Sequence, residues 1–180
     1  MSHIEVISAS IRAGRQSHKV ALFFKSFLES SKLATANILD LKEYNFPLFD
    51  ERLSKQANPI PAAKEFSEKV AKADAIIIVT PEYNGGYPAS LKNAVDLLYN
   101  EWRRKPIAIA AVSDGQFGGT QVITSLQFSL WKIGALTVPA RFHASNVDTS
   151  YDDAGQPKDK ALTEKLAAGF VKEILRYVKE

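Results

Sequence analysis

Two short stretches of this sequence are almost entirely apolar, and they constrain the fold more than any other feature. Residues 75–80 and 106–112 consist of alanine, isoleucine and valine with one threonine and one proline. A strand with one solvent-facing side alternates apolar and polar residues, whereas an uninterrupted apolar run predicts a strand that is buried on both faces. Such strands belong to parallel sheets covered by helices. The sequence therefore predicts an α/β protein with a parallel sheet.

Extended and helical patterns alternate about five times along the chain. The predicted strands are residues 4–8, 36–41, 75–80, 106–112 and 136–141. The predicted helices are residues 17–31, 61–73, 90–99, 120–132 and 158 to the end, and residues 42–60 are predicted to be a long loop. We expect Ser17 to cap the first helix and Pro61 to stand in the first turn of the second. One doubly wound domain, residues 1–180, with strand order 2-1-3-4-5 is the economical arrangement.

Composition excludes several classes of protein. No apolar run approaches the roughly 20 residues that span a bilayer, so we expect no membrane partner. There is no cysteine, which excludes disulfides and thiol catalysis and agrees with a cytoplasmic protein, as does the lack of a secretory signal pattern. The densest basic run, residues 103–105, is too short to predict nucleic-acid binding. The net charge of +3 would still attract anionic ligands such as phosphorylated cofactors.

Loop 1, residues 8–17, combines three serines, a glutamine and two arginines just before a predicted helix. Free N–H groups and the helix dipole favour an anion at such a position, and hydroxyl and guanidinium donors suit a phosphate. The spacing is neither Gly-x-Gly-x-x-Gly nor Gly-x-x-x-x-Gly-Lys-Ser/Thr, which argues against a Rossmann dinucleotide site and a nucleotide triphosphatase. The alternative is a polar loop with a helix cap.

Loop 2 (residues 80–88) and loop 3 (residues 113–119) follow the two apolar strands. Loop 2 places tyrosine, asparagine and two glycines between two prolines, and loop 3 has three glycines in five residues. Such segments can present a firm wall and close backbone contact to a flat ligand, although an ordinary βα turn is the alternative for each. In the order 2-1-3-4-5 the three loops lie side by side at the carboxyl edge of the sheet, where α/β proteins bind ligands.

Three motifs in these loops carry a resemblance to a known family. They are Ser10-x-Arg12-x-Gly14-Arg15-x-Ser17, Pro81-Glu82-Tyr83-Asn84 continuing to Leu91-Lys92-Asn93-Ala94-Val95-Asp96, and Ser113-x-Gly115-x-x-Gly118-Gly119. Over most of its length the chain resembles the NADPH-dependent FMN reductases of the flavodoxin-like superfamily, which include quinone, azo and chromate reductases. Loop 1 departs from the pattern, because Arg15-Gln16 replaces the Ser-x-Asn of many relatives.

The resemblance implies a flavodoxin-like fold, an FMN cofactor and specific binding residues. The FMN phosphate would be held by Ser10, Arg12, Arg15, Gln16 and Ser17. The ring would be lined by Pro81, Glu82, Tyr83 and Asn84, and its other edge by Ser113, Gly115 and Gly118. NADPH or NADH would deliver hydride to FMN, and a quinone, azo compound or similar small molecule would accept it. The family also implies a homodimer or homotetramer with the flavin near a subunit interface.

The sequence predicts no catalytic side chain and no metal site. The three histidines have no spacing typical of a metal site or a catalytic triad, and His18 is expected to be exposed at its helix start. This agrees with flavin chemistry, in which the cofactor carries the reaction. The loop of residues 44–52 could cover the pocket beside or across a dimer contact, and Trp102 and Trp131 are candidates for that contact. A flavodoxin-like electron carrier without nicotinamide turnover and a non-redox binding protein are the alternative functions, although such carriers are typically acidic.

Overall fold

A computed structural model describes residues 1–178, and its five strands form one parallel sheet in the order β2-β1-β3-β4-β5. The strands are β1 (His3–Ser8), β2 (Thr35–Asp40), β3 (Ala75–Pro81), β4 (Pro106–Val112) and β5 (Leu136–Ala144). The predicted α/β class, parallel sheet and strand order are confirmed. β4 has the predicted bounds, while β5 continues beyond residue 141 to Ala144.

Seven α-helices lie between or after the strands in residues 1–178. They are α1 (Ser17–Ser30), α2 (Leu41–Tyr44), α3 (Pro61–Lys72), α4 (Ala89–Leu97), α5 (Thr120–Lys132), α6 (Val147–Ser150) and α7 (Lys160–Val178). Pro61 stands in the first turn of α3, as predicted. Residues 179–180 of the last predicted helix lie outside the described residues. None of the described helices has the length and apolarity needed to cross a membrane.

The sheet separates two apolar clusters, and the two continuous apolar strands contribute to both. On one face Ile77 and Val79 of β3 pack with residues of α1 and α7, and on the other Ile76 and Ile78 pack with residues of α3, α4 and α5. All four side chains are fully buried. Burying each such side chain contributes about 1.5–3 kcal/mol, and this burial explains why neither face of β3 carries a charge.

Two sequence-based expectations about single residues were wrong. Gln16, with helical backbone angles (φ −88°, ψ −29°), precedes α1, so Ser17 is the first helical residue and not its N-cap, a position that needs extended backbone. Trp102 is fully buried and its indole N–H donates to the carbonyl of Val95 at 3.0 Å, which excludes it as a subunit contact. Trp131, in contrast, is 65% exposed.

The segment 42–60 is also more ordered than predicted. It contains the end of α2 and a short 3-10 helix, Leu53–Lys55. The side-chain amide of Asn93 on α4 holds its middle, because it donates to the carbonyl of Pro47 at 2.7 Å and accepts from the N–H of Phe49 at 2.6 Å. The segment therefore lies against α4 through backbone contacts that a sequence pattern does not reveal.

Candidate functional site

A cavity of about 290 Å³ opens at the carboxyl edge of the sheet, where the chain order reverses between β1 and β3. This volume is near the lower limit for small-molecule sites. The cavity, called the rim cavity below, is lined by Ser10, Arg12, Gly14, Arg15, Gln16, Ser17, Pro81, Glu82, Tyr83, Val112, Ser113, Asp114, Val147 and Asp148. The structure thus brings together all the residues predicted in loop 1, with Pro81–Tyr83 of loop 2 and Ser113 of loop 3. The other predicted residues, Asn84, Gly115 and Gly118, do not line it.

Loop 1 leaves two buried polar side-chain atoms without partners among the described residues, an amide oxygen and a hydroxyl, where it lines the rim cavity. The Oγ atom of Ser17 and the Oε1 atom of Gln16 are buried and have no hydrogen-bond partner within residues 1–178. Ser17 begins α1, whose first N–H groups have no partner inside the helix. Arg12 is exposed, and no ion pair involves it in the part of the chain that the structure describes. A hydroxyl, a helix N-terminus and a free guanidinium are the donors that fit a phosphate group.

Arg15 differs from Arg12 because its guanidinium group is bound to protein. It forms paired hydrogen bonds with both carboxylate oxygens of Asp40, the last residue of β2, and it donates to the carbonyl of Ser10 at 2.8 Å. Burial disfavours the charged form of Asp40, but hydrogen bonds from Arg15 and from the N–H of Lys42, with the charge of Arg15, outweigh it and lower the pKa of Asp40. Arg15 therefore lines the cavity with most of its donors already in use.

His18 belongs to the same polar group. Its Nδ1 atom lies 3.0 Å from Oγ of Ser8 and 3.5 Å from Oδ2 of Asp40, and its side chain is 26% exposed. Burial and the charge of Arg15 lower the pKa of His18, although the carboxylate of Asp40 opposes the shift. The expectation of an exposed histidine at the helix start was wrong, because the ring turns inward to the end of β1. Within residues 1–178, no three His, Cys, Asp or Glu side chains are grouped to hold a metal ion.

Loop 2 is a tight hairpin that leans on loop 1. Tyr83 and Gly86 exchange backbone hydrogen bonds of 2.8 and 3.0 Å across a turn in which Asn84 and Gly85 both have positive φ, 52° and 77°. This is the conformation that an Asn-Gly pair favours in two-residue hairpins. The Tyr83 hydroxyl lies 2.8 Å from Oγ of Ser10, which joins the two loops. Asn84 is thus placed at the hairpin tip, away from the rim cavity.

Glu82 lines the rim cavity, but its carboxylate is hydrogen-bonded to the N-terminus of a helix. Its Oε2 atom accepts hydrogen bonds from the N–H groups of Gln121 and Val122, at 2.8 and 3.1 Å, in the first turn of α5. A carboxylate is favourable there because it satisfies unpaired donors and the positive end of the helix dipole. Glu82 therefore attaches loop 2 to the N-terminus of α5.

Two predicted glycines of loop 3 lie apart from the cavity. A Cβ atom at Gly115 would have only Oγ of Ser113 nearby, at 3.9 Å. Gly118 has a φ of 60°, and a Cβ atom there would lie 2.8 Å from Cβ of His143 and 2.9 Å from Oγ of Ser145. Gly118 is therefore required by the close approach of loop 3 to β5, and His143 reinforces this contact with Nδ1 at 3.2 Å from the Gly118 carbonyl oxygen.

Five residues that line the cavity were not among the predicted binding residues: Gly14, Val112, Asp114, Val147 and Asp148. Val147 and Asp148 begin the single turn α6, directly after β5. The predicted position of β5 beside β4 could have indicated this segment, because the carboxyl end of β5 lies at the same edge of the sheet. Both arginines of the cavity come from loop 1, whereas Asp114 and Asp148 come from the segments after β4 and β5. The cavity is therefore basic on its β1 side and acidic on its β4–β5 side.

Comparison with known proteins gives one family. Residues 2–149 match the family model described as NADPH-dependent FMN reductase. The chain is 34% identical over 137 residues to the NAD(P)H-dependent FMN reductase LOT6 of Saccharomyces cerevisiae, covering 69% of this chain and 71% of that one. It is 31% identical over 184 residues to a quinone reductase of Pseudomonas putida, covering 98% and 94%. The flavoenzyme NAD(P)H:(acceptor) oxidoreductase FerB of Paracoccus denitrificans has the same fold, with a TM-score of 0.78 at 24% identity, covering 99% and 98%.

Proposed function

The chain belongs to the NADPH-dependent FMN reductase family, and from this premise we propose that the rim cavity holds FMN with its phosphate on loop 1. The protein is an FMN-dependent oxidoreductase with NAD(P)H as co-substrate and a small molecule as electron acceptor. FMN, when bound, supplies the hydride chemistry between the two substrates. The residues of the chain supply binding and orientation.

The unpaired hydroxyl of Ser17 is the observation that supports this placement most directly. A buried polar group without a partner costs about 1–3 kcal/mol, so such groups are rare in folded proteins. A phosphate oxygen at the N-terminus of α1 would accept from this hydroxyl, and a second oxygen would accept from Arg12. Both side chains line the same cavity, which supports one phosphate group that contacts both.

Pro81, Tyr83 and Val112 would form the firm, largely apolar wall for the flavin ring. Pro81 ends β3, Val112 ends the adjacent strand β4, and Tyr83 lies two residues after the end of β3. The sheet therefore fixes the position of their backbone. The hydrogen bond between Tyr83 and Ser10 would keep the ring wall at a constant distance from the phosphate donors. The contacts of Asn84, Gly115 and Gly118 with the cofactor stay predictions, and no side chain is assigned to proton transfer.

The acceptor that we propose is a quinone or an azo compound, and the quinone reductase among the relatives supports the first. We further propose a homodimer or homotetramer in the cytoplasm, without a nucleic-acid or membrane partner. The absence of cysteine from the sequence agrees with a reducing compartment. The exposed rings of Phe128 and Trp131 on α5 agree with a contact between subunits. Light scattering of the purified protein measures its molar mass and therefore the number of subunits.

The test is a turnover measurement with purified protein, NADPH and a quinone, with FMN first removed and then restored. Under anaerobic conditions we expect continuous NADPH oxidation only in the presence of both FMN and the quinone, and without the quinone only one reduction of the bound FMN. Bound FMN that NADPH cannot reduce would contradict the reductase and indicate an electron carrier. A protein that binds no FMN would contradict both functions. The matched nicotinamide NADH measures the preference between the two co-substrates.

A further inference from the structure

We propose that Asp40 is a positioning residue that holds Arg15 against loop 1 and thereby sets the preference of the rim cavity for a phosphorylated flavin over riboflavin. The inference rests on the proposed FMN function, and it concerns a side chain that does not line the cavity. Asp40 ends β2, whereas loop 1 follows β1, so the residue acts from the neighbouring strand.

The hydrogen bonds of Asp40 fix the guanidinium group of Arg15 in one orientation. Each carboxylate oxygen accepts from a different nitrogen of Arg15, Oδ1 from Nη1 and Oδ2 from Nη2. Oδ1 also accepts from the N–H of Lys42 at 3.0 Å, and Oδ2 lies 3.5 Å from Nδ1 of His18. A paired carboxylate and guanidinium define both a distance and a plane, which a lysine could not do.

Arg15, held in this way, closes loop 1 on itself. The same Nη1 atom that contacts Asp40 donates to the carbonyl of Ser10 at 2.8 Å, so the end of the loop is tied to its beginning. Arg12 lies within this closed segment and Ser17 follows it directly. The donors that would meet the phosphate are therefore held in place before a ligand binds, and donors held in place lose less freedom on binding.

Release of Arg15 would not simply add a second free cation to the cavity. Its side chain is 11% exposed and one of its donors already serves the Ser10 carbonyl inside the loop. Loss of the Asp40 contact would give Arg15 back its rotamer freedom and open the contact between the ends of loop 1. We therefore expect loss of the carboxylate to weaken phosphate binding.

Asp40→Asn separates this role from the other structural role of the residue. Asp40 also caps α2 through the N–H of Lys42, and asparagine caps helices as well as aspartate does. An amide has no charge and one acceptor oxygen, and its NH2 group would replace the second oxygen that faces Arg15, so the paired charge-assisted contact is lost. Arg15→Lys is the second variant, because it keeps the positive charge and loses the planar pair of donors.

The experiment is an equilibrium titration of FMN and of riboflavin, followed by flavin fluorescence, in wild type, Asp40→Asn, Arg15→Lys, Arg15→Ala and the double variant Asp40→Asn/Arg15→Ala. We expect Asp40→Asn and Arg15→Lys to weaken FMN binding about tenfold, which is the worth of one charge-assisted hydrogen bond. Riboflavin binding should change less than about twofold in all of them. The double variant should bind FMN no more weakly than Arg15→Ala, because Asp40 acts through Arg15.

Asp159→Asn is the matched control, since Asp159 also accepts from a helix N–H, that of Leu162 at 3.0 Å, and lies away from the rim cavity. Unchanged or tighter FMN binding in Asp40→Asn, an unchanged preference in Arg15→Lys, equal losses for both flavins, or additive losses in the double variant would each overturn the inference. A wild-type protein without any preference for FMN over riboflavin would instead contradict the phosphate placement in the proposed function. The two failures are therefore distinguishable.

Discussion

The two arginines of loop 1 illustrate how single side chains divide the work of a binding site. Arg15 is bound to Asp40 and to the Ser10 carbonyl, whereas Arg12 is exposed and forms no ion pair within residues 1–178. The sequence alone does not distinguish the two arginines. Arg15 pairs with Asp40, which lies 25 positions away, so the pairing leaves no local sequence pattern. We therefore propose that Arg12 binds the anion directly and that Arg15 holds the shape of loop 1.

Replacement of Arg12 by alanine tests the direct role. Arg12→Ala should weaken FMN binding by about 1.5–3 kcal/mol, the usual worth of a hydrogen bond to a charged group. Fluorescence titration of the flavin-free protein measures it. Arg103→Ala is the control, because Arg103 is also exposed but precedes β4 at the opposite edge of the sheet. An FMN affinity equal in both variants and wild type would count against the phosphate placement.

Gly118 allows a second prediction for a single residue, with Gly85 as its matched control. Both have positive φ, 60° and 77°, but a Cβ atom at Gly118 would clash with His143 and Ser145, while nothing lies within 4 Å of one at Gly85. Gly85→Ala should cost about 1–2 kcal/mol of unfolding free energy from backbone strain alone. Gly118→Ala should cost at least about 1–3 kcal/mol more, because loop 3 must also shift.

Urea unfolding of both alanine variants measures this difference. Equal decreases in the free energy of unfolding for the two variants would show that loop 3 moves away from β5 without a loss of stability. Gly118 does not line the rim cavity, and the measurement tests whether this glycine is needed for loop 3 to pack against β5.

At the scale of elements, the site depends on side chains that fasten loops to helices. Glu82 is the clearest example, because its carboxylate accepts from two N–H groups in the first turn of α5. Glu82→Ala should lower the free energy of unfolding by about 1–2 kcal/mol, as loss of a helix cap does. Chemical unfolding at neutral pH measures the change.

Glu29→Ala provides the control for loss of a glutamate. Glu29 pairs with Lys25 one turn away on the exposed face of α1, and such a pair contributes only about 0.3–0.5 kcal/mol. A Glu82→Ala variant as stable as Glu29→Ala would mean that the contact between loop 2 and α5 is not a cap. The two exchanges remove the same charge, so the comparison isolates the hydrogen bonds.

The sequence predicts the large elements well, because their signals are local. The bounds of β4 and α5 coincide with the prediction, since β4 is a continuous apolar run between polar residues and α5 follows a glycine pair. The edge strand β5 is harder, because its exposed and buried residues mix. Its last residues, up to Ala144, were assigned to the following loop.

Single-turn elements and long-range contacts are what the sequence could not show. α2 and α6 have four residues each, too few for a period of 3.6 residues to repeat. The omission of α6 also explains why Val147 and Asp148 were missed at the cavity. The contacts of Glu82 with α5 and of Asn93 with residues 47–49 join distant segments, and only the packed sheet brings their partners together.

For the molecule as a whole, the burial of His18 beside Arg15 and the pairing of Asp40 with Arg15 predict how stability changes with pH. The pKa of His18 is lowered from its ordinary value of 6.5, so on acidification the unfolded chain binds a proton before the folded protein does. Stability must then fall as the pH drops below 6.5. The pKa of Asp40 is lowered from 3.8, so its stabilising contribution is present above that value and disappears as the pH falls through the folded pKa. Both groups make acid destabilising, His18 first.

His18→Gln should therefore flatten the acid side of the stability curve. Between about pH 5 and 6.5 the wild type should lose at most about 1.4 kcal/mol per pH unit through this residue, which is the limit for one proton. Urea unfolding of flavin-free protein across this range measures the slope. His143→Gln controls for the loss of an imidazole, and an identical slope in wild type and His18→Gln would contradict the assignment.

The rim cavity takes its walls from segments as distant as Ser10 and Asp148. A nascent chain on the ribosome cannot assemble this site until the polypeptide through β5 has left the exit tunnel. If the flavin binds in this cavity, as proposed above, its capture comes late in biosynthesis and requires molecules whose sheet is already complete. A ligand that binds only the native state stabilises that state against unfolding. The supply of FMN would therefore affect how long newly made molecules resist cellular proteases.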